Sequence, residues 1–151
     1  MSALFAYVHS LSMIALGALL FVQLLGFGNL HDREQLQRFF LFCLGIAVAA
    51  AVMLASGLAL LLWSVQPSAY YLRNPVFYIK LAVFAAMLLI AITPGRIVAQ
   101  WHREAAEVGL PDADSIVFVR RYFTVELVLF LLVPLAASIT AQGIGLQASP
   151  S

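Results

Sequence analysis

The chain has 151 residues, of which 64% are hydrophobic and 10% are charged, and its formal net charge is +1. A water-soluble domain of this size needs more charge on its surface, so lipid is the expected solvent. The near-zero net charge gives no indication of a nucleic-acid partner. Cys43 is the single cysteine, which excludes a disulfide within one chain and a site built from several thiolates.

Four apolar runs predict an all-α integral membrane four-helix bundle, because a membrane span needs about 20 consecutive apolar residues. The predicted spans cover about residues 3–27, 39–65, 76–96 and 116–140. The first run has no basic segment before it and no small-residue cleavage site after it, so we interpret it as a retained helix and not a signal peptide. The chain therefore reads as one domain, residues 1–141, followed by a flexible tail at 142–151.

Two proline-containing segments predict where the third helix begins and ends. Asn74 before Pro75 predicts a start, since Asn can cap a helix and Pro fits its first turn. Thr93-Pro94-Gly95 predicts a kink or an end, with residues 96–103 continuing as a helix at the membrane interface. Tyr70 and Tyr71 suit the headgroup region just before the third helix.

The arginine distribution predicts the orientation in the membrane. The first and third connections and their flanks hold six arginines, namely Arg33, Arg38, Arg96, Arg103, Arg120 and Arg121. The opposite side has Arg73, together with Lys80 if its side chain reaches the interface. The positive-inside rule therefore predicts cytoplasmic first and third connections and both termini outside.

Three ionisable residues stand out within the predicted spans: His9, Lys80 and Glu126. Each has a structural and a functional interpretation, because an intramembrane charge is costly unless it is paired or useful. His9 is either a neutral interfacial imidazole or a ligand. Lys80 either extends to the headgroups or serves a site. Glu126 is either a structural acid paired with Arg38 or Arg121, or a carboxylate that handles protons.

Helical geometry predicts two polar levels in the bundle. His9 and Lys80 lie similarly deep in helices that run in the same direction, so they should share one level. From His9, one stripe of the first helix continues through Met13, Leu16 and Leu20 to Gln23. Gln23 should then lie near Glu126 at the opposite end.

The two other histidines, His31 and His102, are expected in the connections on the predicted cytoplasmic side. Neither can reach His9 across the bilayer, which argues against a bis-histidine haem site within one chain. Small residues of the second helix, Ser56 and Gly57 among them, should permit close helix approach. They would also leave room beside a flat cofactor.

Several segments resemble a bacterial family of small predicted membrane proteins that is known only as a domain of unknown function. They are Tyr7-Val8-His9, residues 71–75, Phe77 to Leu81, Gly109 to Ala113, Arg120-Arg121 and Glu126-Leu127. The resemblance covers nearly the whole chain and implies a multi-pass protein of the bacterial inner membrane, without assigning an activity.

The chain is more distantly similar to the HemJ-type membrane protoporphyrinogen oxidases, which have a histidine early in the first helix and a lysine early in the third. That resemblance implies that His9 ligates the iron of haem b and that Lys80 serves activity. Porphyrin propionates would then favour Lys80 or Arg73. Glu126 would be the second catalytic candidate. The fourth helix departs from that family's pattern, since Arg121 to Glu126 lacks its Asn and Pro.

Three functions remain open from the sequence, and whether the protein is an enzyme is open with them. The first is a haem- or porphyrin-binding redox protein, with haem b as the expected cofactor if there is one. The second is a non-enzymatic subunit or scaffold of a larger membrane complex. The third is a small transporter, which would need a homo-oligomer to enclose a path. No hydrolase, phosphate-loop or zinc-enzyme motif is present.

Overall fold

The computed structural model describes residues 2–26, 30, 32–63, 68, 72–107 and 109–142. Four long helices account for most of them: α1 Ser2–Gly26, α2 Arg33–Trp63, α3 Pro75–Glu104 and α4 Ala113–Ala141. All four are long and apolar enough to cross a membrane, which confirms the all-α four-span prediction. Residues 143–151 of the predicted tail, together with Tyr70, Tyr71 and His31, lie outside the described residues.

Side-chain caps begin three of the helices. The Asn74 side chain accepts a hydrogen bond from the main-chain nitrogen of Val76 at 2.9 Å, and Pro75 occupies the first turn. This confirms the predicted start of α3. Asp32 accepts from the nitrogen of Gln35 at 2.7 Å before α2, and Asp112 caps α4 through Ser115. Each cap satisfies a main-chain donor that has no partner within its helix.

The third helix does not end at Pro94. It continues without a break to Glu104, and Pro94 is buried inside it. The alternative, an irregular segment facing lipid, would expose unpaired main-chain groups to hydrocarbon, which costs more than the one hydrogen bond that proline removes. His102 accordingly lies in the last turn of α3 and not in a connection. Its ring stacks on that of Phe40, with centroids 4.6 Å apart.

The helices form an antiparallel bundle in which α1 packs along α2 and α3 packs along α4. The two pairs meet through α2 with α3 and through α1 with α4. Two buried clusters hold them together. The first includes Leu16, Leu20, Ile46, Phe84 and Phe130 in the middle of the bundle. The second, which includes Leu36, Phe39, Val98, Val119 and Phe123, lies near the ends of α1 and α3.

Candidate functional site: two polar cavities between the helices

The first cavity contains two of the three ionisable residues that were singled out in the spans. His9 of α1 and Lys80 of α3 both line it, as their equal depth predicts. We call it the His9–Lys80 cavity; its volume is about 280 Å³. The remaining wall is apolar and comes from all four helices: Met13, Met53, Leu54, Gly57, Leu58, Leu60, Leu61, Phe77, Leu81, Phe84, Val133 and Ala137.

His9 is attached to α2 through one ring nitrogen. Its Nδ1 lies 3.0 Å from the main-chain oxygen of Met53 and 3.2 Å from Oγ of Ser56. A carbonyl oxygen can only accept, so Nδ1 carries the proton and donates it. Ser56 in turn donates to the carbonyl of Val52 at 2.7 Å, which leaves its oxygen able to accept from His9. In the neutral imidazole, Nε2 therefore carries the lone pair.

Gly57 provides the space for the imidazole beside α2. A β-carbon added at Gly57 would lie 3.2 Å from Cε1 of His9 and 3.5 Å from Nδ1. Any larger residue would therefore push the ring away from the Met53 carbonyl. The pair Ser56-Gly57 thus has a specific role in positioning His9, beyond the close helix approach that the sequence indicates.

Lys80 lies partly buried on the opposite wall of the cavity. Its Nζ is 5.2 Å from the centroid of the Phe77 ring, a distance at which an ammonium is attracted to the face of an aromatic ring. The described residues that line the cavity include no carboxylate that could pair with Lys80. The His9–Lys80 cavity therefore offers the ammonium of Lys80 and the Nε2 lone pair of His9 within an apolar wall. The ammonium suits a group that accepts hydrogen bonds or carries negative charge.

A second cavity lies toward the other end of the bundle, with Gln23 of α1 and Glu126 of α4 in its wall. We call it the Gln23–Glu126 cavity; its volume is about 390 Å³. Gln23 is fully buried and Glu126 is 2% exposed. The stripe from His9 to Gln23 therefore faces the interior as predicted, and it connects the two polar levels.

The predicted ion pair of Glu126 is not formed in the described part of the chain. Arg38 pairs instead with Glu34, one turn earlier on the exposed side of α2, and Arg121 is exposed. Among the described residues, Arg38–Glu34 is the only ion pair. The predicted pairing of Glu126 with Arg38 or Arg121 was therefore wrong: Arg38 pairs with Glu34 at the i,i+4 position, and Arg121 is exposed.

The structure places the four candidate site residues in three different positions. His9 and Lys80 share a cavity, Glu126 lines a different one, and Arg73 is exposed and outside both linings. No group of three or more His, Cys, Asp and Glu side chains in the described part of the chain could hold a metal ion. The catalytic roles of Lys80 and Glu126 and the cofactor roles of His9 and Arg73 stay predictions.

The main-chain partner of His9 was not identified from the sequence. A carbonyl acceptor has no residue-type signature, and only the Ser56-Gly57 pair pointed to that part of α2. The contact between Gln23 and Cys43 was also missed. Gln23 Nε2 donates to Sγ of Cys43 at 3.1 Å, so the buried thiol has a polar partner.

Comparison with known proteins agrees with this membrane bundle. No curated protein and no solved structure matches the chain, and the similarity to HemJ-type oxidases gains no support from them. A family model described as "Predicted membrane protein (DUF2214)" matches residues 1–145, which is most of the sequence. The chain therefore belongs to the DUF2214 family of predicted membrane proteins.

Proposed function

We propose that the protein binds a lipid-soluble molecule in the His9–Lys80 cavity, and that this molecule has an apolar body and a carboxylate or carbonyl group. The observation that carries the proposal is the joint position of His9 and Lys80 in one otherwise apolar cavity. Sites for small molecules combine such walls with a few polar groups that fix the ligand's orientation. Lys80 would donate to the ligand's acceptor oxygen, and His9 would lie beside it.

The position of the cavity's edge supports entry from the membrane. Leu54, Leu58 and Leu81 line the cavity and are also exposed on the surface of the bundle. They belong to α2 and α3. Because the outward faces of a membrane bundle meet lipid, a ligand dissolved in the bilayer would reach the cavity between these two helices without crossing water.

A carboxylate of suitable shape tests the proposal. Purified protein in phosphatidylcholine nanodiscs is dialysed against radiolabelled 1-adamantanecarboxylate, and empty nanodiscs give the background. Lys80→Met keeps the apolar stem and removes the charge, so binding should weaken roughly tenfold or more. Arg103→Met is the matched control, since it removes an exposed positive charge outside the cavity, and its binding should equal that of the parent. Equal binding by Lys80→Met and the parent would refute the proposal.

Haem b is the narrower candidate, and one observation favours it. Ligating histidines usually donate their second ring N–H to a carbonyl or carboxylate, as Nδ1 of His9 does with Met53. His9 would hold the iron through Nε2 and Lys80 would bind a propionate; the iron would supply electron transfer. At about 280 Å³ the cavity is small for a tetrapyrrole, which is why the smaller ligand is our leading proposal.

An absorption spectrum decides between these candidates. If haem b is bound, the purified protein shows a Soret band, and His9→Asn loses it. The asparagine amide can replace Nδ1 as donor to Met53 but provides no Nε2, so this variant separates ligation from helix packing. Protein that shows no Soret band after expression with added haem precursor excludes the haem proposal and leaves the smaller ligand.

The cellular location is a further part of the proposal. We place the protein in the bacterial inner membrane, where the six arginines near the first and third connections favour both termini on the periplasmic side. Alkaline phosphatase fused after residue 142 should then be active, and a cytoplasmic reporter at the same point should be inactive. The alternative role as a subunit of a larger complex has no specific contact in its favour, because lipid alone accounts for the exposed apolar faces.

A further inference from the structure

The Gln23–Glu126 cavity contains two buried acceptor atoms that the described part of the chain does not satisfy. Oε1 of Gln23 and Oε1 of Glu126 are inaccessible and have no hydrogen-bond partner there. The amide nitrogen of Gln23 donates one of its two N–H groups to Cys43, and the amide oxygen is the atom of this side chain that has no partner among the described residues. Buried polar atoms of native proteins are nearly always hydrogen-bonded, and an exception requires an explanation.

None of the described residues forms an ion pair with Glu126. Its basic neighbours in sequence, Arg120 and Arg121, are exposed, and Arg38 is held by Glu34. A carboxylate that is buried without a partner in a membrane span is expensive and marks a functional site. When Glu126 is ionised, the two free atoms are both acceptors, so a partner that satisfies them brings donors.

The rest of the cavity wall favours a partner with an apolar body. Besides Gln23, Cys43 and Glu126, the lining consists of Leu20, Ile46, Ala47, Ala50, Ala51, Leu54, Met87, Leu88, Ala91, Ile92, Gly95 and Phe123. Hard metal cations take about six oxygen ligands, far more than this wall supplies. An organic cation with a hydrocarbon body matches it better. The carboxylate and amide oxygens have two lone pairs each and can accept from the three N–H donors of a primary ammonium, and the alanines leave room for the body.

The edge of this cavity also reaches the lipid-facing surface. Ala47, Ala51 and Ile92 line it and are exposed, on α2 and α3. Leu54 lines both cavities, so the two lie next to each other along the α2–α3 side. A ligand can therefore enter either cavity from the bilayer.

We propose that the Gln23–Glu126 cavity is a second binding site, which takes a protonated lipophilic amine. The ammonium pairs with the Glu126 carboxylate and donates to Oε1 of Gln23. Its hydrocarbon part fills the alanine-lined space between α2 and α3. The two cavities thus have opposite preferences: Lys80 selects an acceptor or an anion, and Glu126 selects a donor cation. This second site stands independently of what the His9–Lys80 cavity binds.

Binding of 1-adamantylamine tests the proposal in phosphatidylcholine nanodiscs. The parent protein should bind the amine above the level of empty nanodiscs, and at least tenfold more tightly than the neutral 1-adamantanol. Glu126→Gln keeps the shape and removes the charge, so the amine should bind it roughly tenfold or more weakly. Glu107→Gln is the matched control because Glu107 is exposed. Equal affinity for amine and alcohol, or equal binding by Glu126→Gln and the parent, would overturn the proposal.

Cys43 provides a second measurement that needs no substitution at Glu126. It is the only cysteine and it lines the cavity, so alkylation by N-ethylmaleimide reports on access to this site alone. Saturating 1-adamantylamine should slow the alkylation several-fold, whereas 1-adamantanecarboxylate should leave the rate unchanged. An alkylation rate that the amine does not alter, measured at a concentration where dialysis shows it bound, would place the amine elsewhere and contradict the assignment.

Discussion

His9 of α1 hydrogen-bonds through Nδ1 to the main-chain oxygen of Met53 on α2, at 3.0 Å. The contact joins two antiparallel helices and fixes which ring nitrogen carries the proton. The sequence identifies His9 only as a histidine within a membrane span. In the structure, its two ring nitrogens have different roles. Nδ1 serves packing between helices, and Nε2 is available to a ligand.

Substitutions at His9 should separate these two roles. His9→Leu removes the donor and should lower the free energy of unfolding by about 1 kcal/mol, the usual value of an interhelical hydrogen bond in a membrane protein. His9→Asn retains a donor at the position of Nδ1 and should stay close to the parent. Reversible unfolding in mixed detergent micelles measures both. A His9→Asn variant as unstable as His9→Leu would show that the Met53 contact is not what stabilises this position.

Glu126 should behave as a residue kept at a cost to stability. Glu126→Leu removes a buried acceptor atom that has no partner among the described residues, so the free energy of unfolding should rise by about 1–3 kcal/mol. Breaking a buried ion pair would have the opposite effect and cost about 3–5 kcal/mol. The same micelle unfolding assay decides the sign, and a large loss would reveal a cation that pairs with Glu126. Glu107→Leu, at an exposed position, is the control.

Asn74 should be important for the start of α3 and so for the position of Lys80, which lies in the second turn of that helix. Asn74→Ala removes the acceptor for the Val76 nitrogen and should cost about 0.5–2 kcal/mol. Asn74→Ser restores a side-chain acceptor and should recover most of the loss. Unfolding measurements test the order parent, Ser, Ala. An alanine variant as stable as the parent would show that the cap contributes nothing.

The fold followed from the sequence because its main signals are local. Apolar run length gave the four spans, and the Asn74-Pro75 pair gave the beginning of α3. The shared level of His9 and Lys80 followed from the regular rise of a helix. The helix ends did not follow from hydropathy, since α2 begins at Arg33 and α3 continues to Glu104. Apolarity marks the depth of the bilayer, whereas helices extend beyond it into polar surroundings.

The site was predicted only in part, because some of its interactions do not depend on a recognisable residue type. The acceptor for His9 is a main-chain oxygen, and the feature that distinguishes Glu126 is a partner that it lacks. Arg38 was a reasonable candidate to pair with Glu126, but Glu34 lies one helical turn from Arg38 and pairs with it first. Which of several nearby charges meet depends on side-chain directions that a linear pattern does not contain.

Among the described glycines, Gly17 should be the least replaceable. A β-carbon there would lie 2.6 Å from Cε1 of Phe130, within the contact between α1 and α4. Because Phe130 is itself buried in the central cluster, its ring has little room to move. Gly17→Ala should therefore lower the free energy of unfolding by about 1–3 kcal/mol, as is usual for overpacking.

Gly95 is the matched control for Gly17, since it also lies inside a helix but has nothing within 4 Å of an added β-carbon. Gly95→Ala should raise the free energy of unfolding by about 0.5–1 kcal/mol, because alanine loses less main-chain freedom than glycine when a helix forms. If Gly17→Ala lowers the free energy of unfolding and Gly95→Ala raises it, the loss at Gly17 comes from its contact with Phe130. If both variants were stabilised equally, α1 and α4 would have to lie further apart than the Gly17–Phe130 contact requires.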